Sequence, residues 1–241
     1  MEGATLEQLK IGQFTFRQPQ AGYRFSVDAI LLADFITVKP ADRLIDLGTG
    51  AGIIPLLLAA LTPAREIVGL EIQERLAALA QENVACNHLE MRIRIVSGDL
   101  RQAAQLFRAG EFDAACSNPP YRKIGAGRLN PDAEQAAARH ELTCQLSDLL
   151  AACKYLVKPG GNVFLIYLPE RLGELISHMR DVRLEPKKMR CVHANVTAAA
   201  SLVLVAAQRD AAPGLQILPP LMLYNPAGGY TDEAKRILRE A

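Results

Sequence analysis

The chain has 241 residues, half of them apolar, which is enough to bury the core of one large domain but argues against two equal ones. Its 27 lysines and arginines nearly cancel 26 aspartates and glutamates, so recognition of a polyanion by overall charge is excluded and any nucleic-acid site must be a local basic patch. The opening MEGATLEQLK is polar and acidic, unlike a signal peptide, and the longest apolar run, 53–61, is interrupted by Pro55 and falls short of the about 20 residues of a membrane span. A soluble, cytoplasmic protein of one domain, 1–241, is therefore expected, with 1–40 as a lead-in segment and 211–241 as a tail. The five cysteines (Cys86, Cys116, Cys144, Cys153, Cys191) are scattered and lack any CxxC pair. No disulfide framework and no metal site is indicated, and the cysteines read as reduced packing residues.

In chain order, the first patterned segment is GYRFSVDAILL at 22–32, which opens a helix leading into the body of the protein. Phe25 and Asp28 there could offer an apolar and a polar contact to a ligand. Equally, Ser26 is a good N-cap, Asp28 suits the first helical turn, and the leucines are core.

From 43 to 168 short apolar runs alternate with helix-period stretches, the pattern of strands buried on both faces by crossover helices. Strands are predicted at 43–47, 66–70, 93–97, 112–117 and 162–168, and amphipathic helices at 73–87 and 146–157. Lys158-Pro159-Gly160-Gly161 should stop the second helix firmly.

The first of these strands runs into Asp46-Leu47-Gly48-Thr49-Gly50-Ala51-Gly52, a glycine-rich turn between a buried strand and a helix. Glycine there lets the backbone reach positive φ and lets a ligand lie against the main chain. The spacing GxGxG differs from the dinucleotide fingerprint, and Asp46 suits a cationic amino-acid moiety better than a pyrophosphate, which a helix N-terminus would attract. S-adenosylmethionine carries such a moiety and is the expected cofactor. Glu71 ends the second strand, where a carboxylate can accept both hydroxyls of a ribose, and Ile72 could pack on an adenine face. Ser97-Gly98-Asp99-Leu100 ends the third, with Asp99 placed to accept from an adenine amino group and Leu100 to meet the ring edge through its backbone. Each acid alone could as well be a helix cap or a solvated first-turn residue. Three acids at three successive strand ends are harder to obtain from capping alone.

After strand 112–117 comes Asn118-Pro119-Pro120-Tyr121. An exocyclic aromatic amine is a weak nucleophile because its lone pair is delocalised into the ring. Two acceptors aimed at its hydrogens return density to nitrogen, and the Asn118 side-chain oxygen with the Pro119 carbonyl can supply them. The prolines stiffen the turn, and Tyr121 offers a face for a target base. Taken alone, Asn-Pro-Pro could simply end a strand. The segment 122–141 that follows holds Arg122, Lys123, Arg128, Arg139 and His140. So long a loop in a compact domain is usually functional, and this one could track a phosphate backbone.

Beyond a helix at 170–180, two apolar runs at 187–193 and 201–207 leave no room for a helix between them and predict an antiparallel hairpin at the sheet edge. Lys187, Lys188 and Arg190 make a second basic cluster there, either an RNA contact or a solvated face. The tail, rich in proline and glycine at first, should wrap the surface and end in a short helix.

Taken together, QPQAGYRFSVDAILLADF, IDLGTGAGI, SNPPYRK, ARHELTC, KPGGNVFLIYLPERL, PKKMRCVHAN, PPLMLYN and YTDEAKRIL resemble the bacterial tRNA(Val) adenine-N6 methyltransferase family, which modifies adenine 37 beside the anticodon. The likeness spans almost the whole chain and departs from relatives at Arg122, where an aromatic residue often follows the tyrosine. It implies an α/β fold with a Rossmann-like seven-stranded methyltransferase sheet, mostly parallel with a C-terminal antiparallel hairpin. It also implies catalysis centred on Asn118, Pro119, Pro120 and Tyr121 and a tRNA as partner, without metal or membrane. A glutamine N5-methyltransferase of release factors would use the same tetrad, but such proteins usually carry a helical domain before the glycine turn. A DNA adenine methyltransferase would need a recognition domain for which 241 residues leave no space. A non-catalytic RNA-binding protein would have no need of Asp46, Asn118 and Tyr121.

Overall fold

The computed structural model of the chain describes residues 4–19, 27–119 and 145–239. A two-stranded antiparallel hairpin, β1 (Ala4–Gln8) and β2 (Thr15–Pro19), comes first and stands apart from the main sheet. Sequence reasoning placed this stretch in the lead-in segment and assigned it no strands. The main chain then runs through α1 (Val27–Phe35), β3 (Arg43–Leu47), α2 (Ile53–Leu61), β4 (Glu66–Glu71), α3 (Glu74–Cys86), β5 (Ile93–Ser97), the short α4 (Ala103–Leu106) and β6 (Phe112–Ser117). It continues with α5 (Leu146–Leu156), β7 (Val157–Tyr167), α6 (Leu172–Asp181), β8 (Leu184–His193), β9 (Ala200–Arg209), the two-residue strands β10 (Gln216–Ile217) and β11 (Leu221–Met222), and α7 (Asp232–Leu238).

Seven long strands lie in the order β8-β9-β7-β6-β3-β4-β5, with β10 and β11 both paired to the outer side of β8. Strands β3 to β7 are mutually parallel, and β9 runs antiparallel to both β7 and β8. This is the mostly parallel sheet with a C-terminal antiparallel hairpin that the sequence predicts. The tail adds the two short strands to β8 before it forms α7.

Strand periodicity sorts the apolar residues into two cores. Leu44, Ile67, Ile93, Ala114 and Phe164 face α1, α2, α7 and Val84 of α3, whereas Ile45, Leu47, Val68, Ala115, Val163 and Leu165 face α4, α5 and α6. Helix α2 is apolar nearly all round because it is buried along almost its whole length, and Pro55 is tolerated in its first turn, where no intrahelical donor is missed. A capping box starts α5: the Gln145 side chain accepts from the Asp148 amide, and Asp148 accepts from the Gln145 amide at 3.0 Å. That helix ends at Leu156, as expected, but β7 begins at once. Residues 158–161 are taken up as an irregularity between the pairs Phe112–Val157 and Ala114–Asn162. Cys116 and Cys153 are buried packing residues, while Cys86 is exposed at the end of α3, contrary to its expected packing role. Among the described residues no helix is long and apolar enough to cross a membrane, and no cluster of potential metal ligands occurs.

The chain leaves β3 toward β4 and β5 on one side and returns to β6 and β7 on the other. In an open α/β sheet the crevice at the carboxyl ends of the strands where this reversal occurs is where ligands bind. It falls here between β3 and β6.

Candidate active site

Four strand ends are stitched together around this crevice. The Gly48 and Thr49 amides donate to the Leu70 carbonyl at 2.9 and 3.0 Å, and the Gly98 amide donates to the Glu71 carbonyl at 2.8 Å. On the other side the buried Ser117 hydroxyl donates to the Leu47 carbonyl at 2.6 Å. The parallel register sets Asp46 opposite Cys116, and continuing it by two residues brings Gly48 level with Asn118. The glycine turn and the start of the Asn-Pro segment are thus side by side, although seventy residues separate them.

Gly48, Gly50 and Gly52 all adopt positive φ, at 77, 58 and 84°. Among the described residues a Cβ at Gly48 or Gly50 would meet nothing within 4 Å, so the main chain there leaves space that a ligand can enter. Gly52 is different: a Cβ there would lie 3.0 Å from the Ala80 methyl of α3, so this glycine lets turn and helix pack closely.

Asp46 is fully buried, and its Oδ1 accepts from the Cys116 thiol at 3.6 Å. Burial pushes its carboxyl up to about 7. The neighbouring Thr49 hydroxyl and Cys116 thiol offset this in part, and the negative charge of Glu71 adds to it. The same burial, with Asp46 beside it, raises the Cys116 thiol well above its usual range. Neither neighbour satisfies Asp46 Oδ2, which has no partner of hydrogen-bonding geometry among the described residues, nor has the buried Thr49 Oγ1. Buried polar atoms without partners are rare in folded proteins, and two on neighbouring residues make this a candidate place for a ligand that brings donors and positive charge.

Glu71 is buried and fixed by the backbone: the Gly50 amide donates to Oε2 at 2.8 Å and the Gln73 amide to Oε1 at 2.9 Å. An ionised carboxylate has about four acceptor positions, so both oxygens keep capacity for ligand hydroxyls. Ile72, the next residue, is an exposed large apolar side chain at this mouth, with 42% of its surface accessible. Asp99 caps the helical turn that starts at Leu100 by accepting from the Arg101 amide at 2.9 Å, and the Arg101 guanidinium holds its carboxyl below the usual range. Its oxygens are thus already engaged by the cap and an ion pair, and Leu100 beside it is half-buried.

Asn118 and Pro119 are half-buried directly after β6, and Asp28 is half-buried in the first turn of α1. Phe25, Pro120, Tyr121, Arg122, Lys123, Arg128, Arg139 and His140 lie outside the described residues. The second basic cluster is not part of the crevice. Lys188 pairs through Ala206, Phe164 and Cys116 to the level of Asp46, but four strand spacings away, about 19 Å. There Lys187 donates to the Ala212 carbonyl, Arg190 is paired with Glu233 at 2.8 Å, and Lys188 is exposed. Sequence reasoning missed Cys116 and Ser117 as members of the site. Their place opposite Asp46 and Leu47 follows only from the strand register.

The arrangement offers a buried acid for a cation, a second acid for hydroxyls, an exposed apolar side chain for a flat ring, and a proline-stiffened segment beside them. A family model of the methyltransferase small domain matches residues 24–167. The chain is 36% identical over 169 residues to the tRNA1(Val) (adenine(37)-N6)-methyltransferase of Aeromonas salmonicida, an alignment covering 68% of this chain and 69% of that one. With the protein of the same name from Tolumonas auensis it shares 31% identity across 95% of its own length and 87% of the other's. The fold is also that of a predicted O-methyltransferase from Agrobacterium tumefaciens of known structure, with a TM-score of 0.70 at 21% identity over 88% of this chain and 96% of that one. The protein is a methyltransferase of the small-domain type and belongs to the family of the tRNA1(Val) (adenine(37)-N6)-methyltransferases.

Proposed function

We propose that the protein transfers the methyl group of S-adenosylmethionine to N6 of an adenine in tRNA in the cytoplasm, with adenine 37 of tRNA1(Val) as the physiological target. The observation that carries this reading is the adjacency of the Asn118 segment to the glycine turn, fixed by the Ser117–Leu47 hydrogen bond. It brings an amine-binding segment beside a turn with an unmatched buried acid. S-adenosylmethionine, when bound, supplies a methyl group already activated on a sulfonium, so neither a metal nor a protein nucleophile is needed.

The donor set fits that cofactor. Among the described residues, Asp46 Oδ2 and Thr49 Oγ1 are the two buried side-chain atoms that lack partners, suited to the cationic methionine end. Glu71 takes the ribose hydroxyls, and Ile72 lies against the adenine, with Leu100, Asp28 and Phe25 as further contacts. Asp99 reaches the adenine amino group only if it exchanges part of its pairing with Arg101.

For the reaction itself, the Asn118 side-chain oxygen and the Pro119 carbonyl accept the two hydrogens of the target N6. Nitrogen density is thereby drawn out of the ring and aimed along the line of attack. Pro120 is assigned to stiffen the turn and Tyr121 to stack on the base, which must first leave the RNA stack. The bound sulfonium would supply the methyl group for the new C–N bond and leave as a neutral thioether, and the target amine held by Asn118 and Pro119 would give up one proton to solvent. Arg122, Lys123, Arg128, Arg139 and His140 are assigned to the RNA backbone near the crevice. Lys187 and Lys188 would contact it farther out, with Lys188 the freer of the two.

Two measurements test this. Asn118→Ala is expected to lower methyl transfer by about a hundredfold or more while the dissociation constant for S-adenosylmethionine stays within about threefold. Equal loss of both overturns the division of labour. Tritiated methyl transfer to total tRNA and to release factor, followed by nucleoside analysis, should place the label in N6-methyladenosine. Label found only in protein overturns the substrate.

A further inference from the structure

Asn83, a fully buried polar residue of α3, joins two parts of the protein that share no strand pairing. Its Nδ2 donates to the Ala51 carbonyl inside the glycine turn at 2.9 Å and to the Arg17 carbonyl of β2 at 2.8 Å, while its Oδ1 accepts from the Arg17 amide at 2.8 Å. One helical turn later Asn87 repeats the hairpin half of this pattern. It accepts from the Thr15 amide at 2.9 Å and donates to the Thr15 carbonyl at 2.7 Å and to the Asn83 carbonyl.

The match is geometric. Four residues of helix rise about 6 Å, and two residues of strand advance about 6.6 Å, so amides at positions 83 and 87 meet the alternate residues 17 and 15 whose backbone groups point to the same side. Helix α3 thus presents two side-chain amides to β2 where a third strand would present backbone. Only Asn83 extends the ladder to the glycine turn, on the same helix whose Ala80 packs beneath Gly52.

We infer that Asn83 is a positioning residue for the cofactor turn, and that through it the N-terminal hairpin and the cofactor site stabilise each other. This rests on the S-adenosylmethionine-dependent reading above. Both hydrogens of its amide are committed, so removing the side chain leaves the Ala51 carbonyl without its donor and frees the turn to shift. By linkage, a ligand that orders the turn must also tighten the hairpin.

Calorimetric titration of S-adenosylmethionine into the wild type, Asn83→Ala and Asn87→Ala separates turn positioning from hairpin docking. Both variants lose hairpin bonds and should melt at lower temperature. Asn83→Ala is expected to weaken cofactor binding about tenfold, raising KM for the cofactor with kcat at saturation little changed. Asn87→Ala should leave affinity within about twofold, because its bonds do not reach the turn. Equal weakening by both variants, or by neither, overturns the inference. A wild type that binds no cofactor overturns the functional reading and this inference with it.

Amide exchange in the wild type needs no variant to fold. Saturating cofactor should slow exchange of the Arg17 amide several-fold, and an Arg17 rate unchanged by cofactor, with the turn alone protected, overturns the coupling.

Discussion

A buried carboxylate with an unmatched oxygen resists ionisation, and for Asp46 this sets a pH dependence whose sign can be worked out. The folded protein holds the proton up to about pH 7, whereas an unfolded chain releases it near the ordinary aspartate value of 3.8. Between those values the folded state binds more protons, so this residue's contribution to stability falls as pH rises from about 4 to about 7 and is level above. The span corresponds to an order of 4 kcal/mol at most. Asparagine at the same position is neutral at every pH and nearly isosteric. Asp46→Asn is therefore expected to flatten this slope and to melt at a higher temperature than the wild type at pH 8 in the absence of ligand. A cation placed beside Oδ2 favours the ionised acid, so wild-type cofactor affinity should strengthen between pH 6 and 8, while that of Asp46→Asn stays weak and flat. A variant that melts lower than the wild type at pH 8 would mean that the carboxylate is already paired in the empty protein.

At the level of the elements, the glycine turn does two jobs with residues of one type. Gly50 has no neighbour in the way of a Cβ among the described residues and sits at positive φ, so Gly50→Ala should cost stability only by the left-handed backbone, about 1–2 kcal/mol, yet put a methyl group where the proposed ligand would meet the main chain. Gly52→Ala adds a collision with Ala80 at 3.0 Å to the same backbone strain. Denaturant melts should therefore rank Gly52→Ala below Gly50→Ala in stability, and cofactor titration of Gly50→Ala should show a loss beyond its loss of stability. Identical melts would remove the distinction between a ligand-facing and a packing glycine.

The same two roles explain what could be read from the chain unaided. Strands β3, β5 and β6 coincide with their predicted limits because each is a short apolar run closed by polar or turn-forming residues. The placement of Asp46, Glu71 and Asn118 at neighbouring strand ends was legible because strand ends converge in any sheet of this topology. The hairpin was not. Its second strand, TFRQP, pairs along its free edge with side-chain amides of a helix, and no period in a sequence encodes that partner. Strands β8 and β9 extend past their apolar cores because backbone pairing continues beyond the bulges at Pro186–Lys188 and Val192–His193. The raised pKa of Asp46 was equally hidden, since it depends on burial and on a thiol seventy residues away.

Considered as a whole, the molecule has one main sheet with a core on each face, and the crevice is tied into its central strands. Hydrogen bonds at the crevice link β5 to β4, β4 to the turn after β3, and β3 to β6, and those strands carry both apolar clusters. A ligand held there, as proposed, by Asp46 and Glu71 would therefore stabilise the cooperative unit, whereas one held by a peripheral loop would protect only that loop. Cofactor at a hundredfold excess over its dissociation constant adds about 2.7 kcal/mol to the folded state. In a chain of 241 residues that should raise the melting temperature of a single transition by about 5–10 °C. Asp46→Asn, with its weaker site, should show little of this shift at the same concentration. If cofactor instead slows amide exchange at 48–52 and leaves the melting temperature where it was, the crevice opens independently of the sheet, and the bonds between strand ends do not couple it to global unfolding.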